Sequence, residues 1–568
     1  MRVIATAGHV DHGKSTLVRS LTGMEPDRWA EEKRRGLTID LGFAWTTLGD
    51  GSEIAFVDVP GHRRFVPNTL SGIGPVPAVM FVVAADEGWM PQSTEHLAAL
   101  DALRIEHGVL VITRSDLADP GPALTEARER LASTSLAGIE HVVVSGVTGA
   151  GLDELRSALS SLELPAPDTA ADVRLWVDRS FSLPGAGTVV TGTLTGGTLR
   201  AGDELLLRGS PVTVRGLQSL GRKEDPVEAV ARVAVNLRGA DRDAVHRGDA
   251  LLTPHRWLDS SAVDVLVDQE LPSQVVLHIG SASVPARVRP LGTAAARLAL
   301  SRPLPLRIGD RVLLRDPGSS KIAGASVADL DPPPLTRRGA ARARADELRA
   351  PLELHLRRRK FVHRDRLRAL GLPHDGPEWR VDPERWANLT EQLKSEVDSW
   401  PPLDPGLPVT VALQRLNVPA ALIGDLATAA GLLVVGGRLQ RSGRAALPAH
   451  VEAALVTLTR ELRADPFAAP DAHRLAELKL GQKELAAAVR AGRLVKVAEG
   501  VVLLPEAIEL ARRVLSRLEQ PFTVSQARQA LRTTRRVAVP LLETLARMGA
   551  TERLADSRHV AHVTAHDQ

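Results

Sequence analysis

Gly8-His9-Val10-Asp11-His12-Gly13-Lys14-Ser15 has the spacing G-x-x-x-x-G-K-S, follows an apolar run at 3–7 and precedes Leu17, Val18 and Leu21 at helical spacing. Glycines at these places let successive backbone N–H groups turn inward around phosphate oxygens. The loop from Asp11 through His12 and Gly13 to Thr16 would line such a cradle, with the Lys14 ammonium as a point charge for the terminal phosphates. The Ser15 hydroxyl can ligate Mg2+, and the positive end of the helix that follows adds to the attraction. A second apolar run at 54–57 ends in Asp58-Val59-Pro60-Gly61. A carboxylate there can reach the same cation, usually through water, and Gly61 can offer its N–H to a γ-phosphate. His62 follows, where an imidazole can orient an attacking water or favour the transition state electrostatically. Thr38, in Arg35-Gly36-Leu37-Thr38-Ile39, is placed to add a second hydroxyl to Mg2+ once a triphosphate is bound.

The apolar run at 109–112 ends in Thr113-Arg114-Ser115-Asp116. A carboxylate at Asp116 can accept hydrogen bonds from both N1 and N2 of guanine. Adenine offers no such pair, so the residue selects GTP and GDP. Ser145-Gly146, at the end of the next apolar run, can present a backbone N–H to guanine O6. The usual base-binding motif is Asn-Lys-x-Asp. Thr113 stands for the asparagine and Arg114 for the lysine. The selector is kept, while the contact to N7 and the stacking on the base stay open.

Residues of these types must sit at the ends of strands. The first 164 residues alternate apolar runs at 3–7, 54–59, 76–84, 108–113 and 141–145 with helical stretches such as 92–103 and 124–131. That alternation predicts an α/β unit, a parallel sheet with helices on both faces. A proline-rich joint at 164–167 follows. From about 173 to 331 short Val, Thr and Leu strands are broken by glycine, which predicts two antiparallel barrels. A second joint, Asp331-Pro332-Pro333-Pro334, opens a helical, arginine-rich stretch. There, helical pairs end in apolar hairpins with turns at Gly436-Gly437, Glu499-Gly500 and Asp556-Ser557, and Asp375-Gly376 marks a possible earlier unit. Recurrence at roughly 60 residues predicts tandem winged-helix modules, an α+β extension. The expected domains are 1–168, 172–259, 260–334 and 340–568, the last module running from about 508 to 568.

Composition narrows the classes. The chain has 568 residues, 44% hydrophobic and 24% charged, the balance of a globular protein. It has no cysteine, which excludes disulfides, thiolate zinc sites and cysteine nucleophiles. No apolar run reaches the roughly 18 residues of a membrane span. Met1-Arg2-Val3-Ile4-Ala5 runs straight into the first strand, so a cytoplasmic location with no membrane partner is expected. The net charge of +3 does not by itself demand a nucleic-acid partner, so the local clustering of arginine matters more.

Two stretches, GHVDHGKST at 8–16 and DVPGH at 58–62, resemble the ribosomal translation GTPases. The stretch 21–44, LTGMEPDRWAEEKRRGLTIDLGFA, is more particular and resembles the first switch of the selenocysteine-specific elongation factors. The barrel stretch 178–192, DRSFSLPGAGTVVTG, is similar to the second domain of that family. The domain order matches as well, and elongation factor Tu resembles the first three parts without the extension. The resemblance is specific over roughly the first 200 residues and architectural over the tail. It implies a monomeric GTPase that binds selenocysteinyl-tRNA and an mRNA hairpin (a SECIS element) beside an in-frame UGA codon, with hydrolysis on the ribosome through His62. By motif match it places the selenocysteine pocket at Asp178, Arg179 and Arg232. A selenol is ionised at neutral pH whereas the serine precursor is neutral, so two arginines, one oriented by Asp178, suit the discrimination.

In the tail, Arg528 lies on one helix, and Arg532, Arg535 and Arg536 gather at the start of the next. Arginine with free N–H groups at a helix start suits phosphate, and the scarcity of aromatics points to backbone and shape readout of a hairpin. A second basic run, 357–360, is expected to be structural or to face the ribosome. Three alternatives stay open: a carrier of another aminoacyl or initiator tRNA, a winged-helix DNA-binding regulator with a GTPase sensor, and a sulfate-activating GTPase subunit.

Overall fold

The computed structural model describes residues 1–26, 38, 40–62, 65–183, 187–319, 321–337, 339–401, 403–441 and 447–562. Residues 27–37 and 39 of the first-switch stretch therefore lie outside the described residues.

The chain forms two compact units, Met1–Arg380 and Val381–Gln568. The first opens with β1 (Arg2–Gly8), α1 (Lys14–Thr22), β2 (Gly42–Thr47), β3 (Glu53–Asp58), α2 (Val66–Ile73), β4 (Ala78–Ala84), α3 (Pro91–Leu103), β5 (His107–Thr113), α4 (Gly121–Leu131), β6 (Glu140–Val143) and α5 (Leu152–Ser161). The sheet order is β2-β3-β1-β4-β5-β6. Five strands run parallel, as the alternation predicts. β2 pairs antiparallel at the β3 edge and has no counterpart in the sequence reading. Successive residues face opposite sides, so Val3, Ala5, Ala7, Val79 and Phe81 join one core while Ile4, Met80 and Val82 join the other. β4 is buried along its whole length. Each such large side chain contributes roughly 1.5–3 kcal/mol by leaving water.

The next stretch is an eight-stranded sheet around one apolar core. Its strand Gly187–Leu194 lies between Arg179–Leu183 and Ala231–Arg238. A closed six-stranded barrel follows, from Leu258–Val267 to Ile322–Asp329. The fold class is thus an α/β GTPase domain, β-barrel domains and a winged-helix extension.

The proline joint at 331–334 does not end this unit. Asp264 and Asp329, both fully buried in the barrel, bind cations from the segment beyond it. Arg344 reaches both carboxylates, its Nε 2.8 Å from Asp264. Arg297 joins at Asp264 (2.6 Å) and Arg358 at Asp329 (2.9 Å), while Arg359 pairs with Asp331. Burial opposes the Asp329 charge. The His355 hydrogen bond and the arginine charges outweigh it and hold the carboxyl well below its ordinary range. Two arginines of the basic run 357–360 are therefore clamps on the barrel, the structural role expected of them.

The second unit repeats three helices and a hairpin. One set is Pro383–Asp398, Val409–Leu416 and Ile423–Ala429, with strands Leu432–Val435 and Arg438–Arg441. The next is Ala449–Ala464, Ala472–Glu477 and Gln482–Arg490, with Val495–Ala498 and Val501–Leu503. The last is Pro505–Ser516, Val524–Ala530 and Arg535–Arg547, with Thr551–Arg553 and His559–Ala561. All three hairpins fall at the glycine and aspartate turns read from the sequence. Each helical turn before the third helix holds a left-handed residue: Asn417 (φ 50°), Lys479 (φ 55°) and Arg532 (φ 48°). A capping box, in which Thr523 and Gln526 exchange hydrogen bonds, starts Val524–Ala530. No helix among the described residues is long and apolar enough to cross a membrane.

Candidate functional site

The phosphate loop connects β1 to α1. Gly8 has φ 130°, and a Cβ there would lie 2.1 Å from the Val82 carbonyl oxygen of β4, so only glycine fits. Lys14 is buried and folds back, its ammonium donating to the carbonyls of Gly8 (3.1 Å) and His9 (2.5 Å). This braces the loop and keeps the charge at its centre. Gly61 sits directly against it: a Cβ there would come 2.5 Å from Val10 N and 2.7 Å from Lys14 Nζ. The Gly61 backbone thus packs directly on the phosphate loop and its lysine, where only a residue without a Cβ fits.

Ser15, Thr38 and Asp58 converge. Ser15 Oγ donates to Asp58 Oδ2 at 2.6 Å and lies 2.9 Å from Thr38 Oγ1. Thr6 fixes the other oxygen of the buried Asp58, donating to it at 2.7 Å. Two hydroxyls and one carboxylate are hard oxygen donors, the set that suits Mg2+ with remaining positions for water and phosphate. Among the described residues no three His, Cys, Asp or Glu side chains form a group that could hold a metal ion.

The base loop departs from the usual motif, and its geometry shows how. Thr113 Oγ1 donates to the His12 carbonyl at 2.7 Å, so a hydroxyl ties this loop to the phosphate loop. Arg114 pairs with Asp86 (2.9 Å) and Glu87 (2.8 Å) and also donates to the Asp11 carbonyl. It is thereby drawn along the phosphate loop. Asp116 is exposed at the open end, free of the core, as a base-selecting carboxylate requires. Ser115 N donates to Val144 O, which brings the Ser145-Gly146 loop alongside, and Ser145 Oγ caps that loop by accepting from Val147 N and Thr148 N.

Two side chains of this region have no signal in the sequence reading beyond their spacing on one helix. Gln92 and His96 of α3 accept hydrogen bonds from Val10 N (2.9 Å) and Gly8 N (3.0 Å). Burial drives the His96 imidazole down to about 3, with the Lys14 charge adding to it, and drives His12 down to about 4. Both rings are neutral at physiological pH, so the charge at this loop comes from Lys14 and Arg114 rather than from the histidines His12 and His96. His62 is exposed, its ring centre 5.9 Å from that of Phe65.

The arginine trio also comes together. Asp178 is buried, accepts a bidentate pair from Arg232, and accepts from Thr191 Oγ1 at 2.5 Å. Burial alone would raise its pKa. The Arg232 charge and hydrogen bonds outweigh burial and hold the carboxyl below its ordinary range. Between the two arginines lies Phe43 of β2, its ring centre 3.9 Å from the Arg232 guanidinium carbon and 4.8 Å from that of Arg179. Arg179 donates to the Leu41 carbonyl and stands 3.5 Å from Asp40. Phe43 was not among the sequence candidates. In a chain only 3% aromatic, a phenylalanine at the end of the first-switch stretch was the available signal.

The tail arginines divide. The Arg528, Arg532 and Arg535 side chains have no ion-pair partner among the described residues, and Arg532 and Arg535 are exposed. Arg536 instead donates to the carbonyls of Ala469 and Pro470, each at 3.0 Å, and to Gly500 at 3.4 Å. These three backbone acceptors brace Arg536, itself exposed, between the last two modules.

Family models match along the chain: the elongation factor Tu GTP binding domain over residues 1–165 and elongation factor Tu domain 2 over 187–252. The beta-barrel domain of selenocysteine-specific elongation factor matches 261–334, and the winged helix of elongation factor SelB matches 513–560. A selenocysteine-specific elongation factor of Desulfomicrobium baculatum is 40% identical over 336 residues, 55% of this chain and 53% of that protein. Matches to curated proteins of that name span 53% to 61% of their length. Elongation factor Tu 2 of Streptomyces avermitilis is 32% identical over 372 residues, 56% of this chain and 95% of that protein. A crystal structure of a bacterial selenocysteine-specific elongation factor aligns over 99% of this chain and 100% of its own, with a TM-score of 0.72 and 25% identity. The chain belongs to the elongation-factor-Tu-like translation GTPases, and within them its similarity extends to the selenocysteine-specific elongation factors.

Proposed function

We propose that this chain is a GTP-hydrolysing elongation factor that carries selenocysteinyl-tRNA to the ribosome at in-frame UGA codons and reads an mRNA hairpin, the SECIS element, with its last module. It acts in the cytoplasm as a monomer. The observation that carries this reading is the Asp178–Arg232–Arg179 cluster closed on Phe43, next to the segment that follows Thr38. Two guanidiniums give a selenolate a cationic seat, and Phe43 ties that seat to the nucleotide-responsive strand β2. Lys14 and the backbone of residues 11–16 hold the phosphates, while Asp116 and the Ser145-Gly146 loop hold guanine. Ser15, Thr38 and Asp58 would hold Mg2+, which when bound offsets charge developing between the β- and γ-phosphates. His62, exposed beside Gly61, would order the attacking water once the ribosome packs against it.

Capture of RNA decides the cargo. With the full chain loaded with a slowly hydrolysed GTP analogue, sequencing of copurified tRNA is expected to return selenocysteine tRNA, enriched at least about tenfold over the GDP-loaded chain. Recovery of common elongator or initiator tRNA instead would make the protein a general carrier.

The tail gives an independent expectation. Arg532→Gln with Arg535→Gln should weaken hairpin binding roughly tenfold or more and lower the salt slope of log K by about one per arginine. Arg536→Gln should leave that slope unchanged and lower the melting temperature. A salt slope that moves only with Arg536 would reverse this assignment.

A further inference from the structure

Asp40 lies two residues after Thr38, on the way into β2, and its two oxygens face two arginines of the eight-stranded sheet. Oδ1 pairs with Arg247 at 3.0 Å and Oδ2 stands 3.5 Å from Arg179. Arg247 reaches further. Its Nη1 also donates to Asn68 Oδ1 at 3.0 Å, and its Nη2 donates to Ser71 Oγ at 2.6 Å. Both acceptors belong to α2, the helix that follows Asp58, Gly61 and His62. Ser71 Oγ in turn donates to the Asn68 carbonyl at 2.9 Å, which leaves its lone pairs turned toward the arginine. One planar guanidinium therefore touches both segments that respond to the γ-phosphate.

The same loop is wired to the cargo side. Gly248, next in the chain, donates its N–H to the Val177 carbonyl at 2.9 Å, and Val177 donates back to the Asp249 carbonyl at 2.8 Å. Val177 adjoins Asp178. Arg247 thus connects to the cluster twice: through Asp40 to Arg179, and through its own backbone to Asp178. A rigid fork satisfied by three acceptors on two moving segments closes fully only when both are in place, so loss of either weakens its hold on the other.

We propose that Arg247 is the positioning residue that couples nucleotide state to the selenocysteine seat, a latch that closes when the segments after Thr38 and after Gly61 have both docked. This rests on the proposed function, since the seat is the cargo site in that reading. A latch of this kind stabilises the triphosphate form and cargo binding together, and by linkage each raises the other by the same factor.

The test uses the full chain carrying Arg247→Ala, Arg247→Lys or Asp40→Asn, titrated with a slowly hydrolysed GTP analogue, with GDP, and with selenocysteinyl-tRNA in each nucleotide state. Arg247→Ala is expected to lower the ratio of analogue-state to GDP-state cargo affinity by about tenfold, with GDP affinity within about twofold of the unmodified chain. Arg247→Lys should recover less than half of that loss, because an ammonium lacks the fork that spans all three acceptors. Arg247→Ala with Asp40→Asn should cost less than the two changes separately. Equal losses in both nucleotide states, or an unchanged ratio, would overturn the latch. If the unmodified chain binds no aminoacyl-tRNA, the proposed function falls. The latch is then judged by whether Arg247→Ala weakens the GTP analogue by about fivefold or more relative to GDP, with no such change overturning it.

Discussion

Asp116→Asn is expected to lower affinity for guanosine nucleotides by roughly two to four orders of magnitude and to raise affinity for xanthosine nucleotides. The carboxylate accepts from guanine N1–H and N2–H, and each charge-assisted hydrogen bond is worth about 1.5–3 kcal/mol. An amide replaces one acceptor by a donor that faces N–H, whereas the C2 carbonyl of xanthine accepts from that donor. Asp116 is exposed and outside the core, so the change should leave the fold intact. Fluorescence titration with labelled GDP and XDP reads both sides of the swap. Guanosine affinity within a factor of three of the parent would remove Asp116 from the base site, and with it the assignment of guanine.

The second large effect concerns Arg232. On the proposed function, Arg232→Gln should weaken selenocysteinyl-tRNA by about 10- to 100-fold while the seryl form loses less than about threefold, because a selenolate loses a charge-assisted partner that a hydroxyl never had. The same change leaves Asp178 buried without its cation, a loss of about 3–5 kcal/mol in such sites, so the melting temperature should fall as well. The double variant Asp178→Asn with Arg232→Gln separates the two effects. It removes both charges, and it should regain much of the stability without regaining discrimination. Discrimination that returns with stability would show that the pair serves only the barrel.

The nucleotide cradle is legible in the sequence because its chemistry acts at short range. Phosphate needs a glycine turn, a lysine and a hydroxyl within eight residues, and guanine needs a carboxylate at a strand end. The parallel strands follow from their apolar runs, and the three tail hairpins from turn residues with apolar flanks. β2 escapes because it is a half-buried edge strand whose antiparallel pairing depends on a partner rather than on its own pattern. Phe43, Asp40 and Arg247 escape for a related reason: each meets residues far along the chain, and nothing local marks the meeting. The replacement of Asn by Thr113 leaves the contact to N7 open in the sequence, and nothing local announces that its hydroxyl donates to the His12 carbonyl. Arg535 and Arg536 are alike as letters and both exposed, yet only the second donates to backbone carbonyls of the neighbouring module.

The buried carboxylates Asp264 and Asp329 bear on how this architecture can be taken apart. Their cations Arg344 and Arg358 come from beyond the three prolines, so a cut at that joint would strand the buried Asp329 and leave Asp264 with Arg297 alone. The natural seam lies near Arg380 instead, where the first compact unit ends. The elongation-factor-like body with this sequence is therefore dependent on the stretch between the prolines and Arg380: truncation or gene fission is tolerated at the seam, whereas shedding that stretch too first requires replacing the acid that it neutralises.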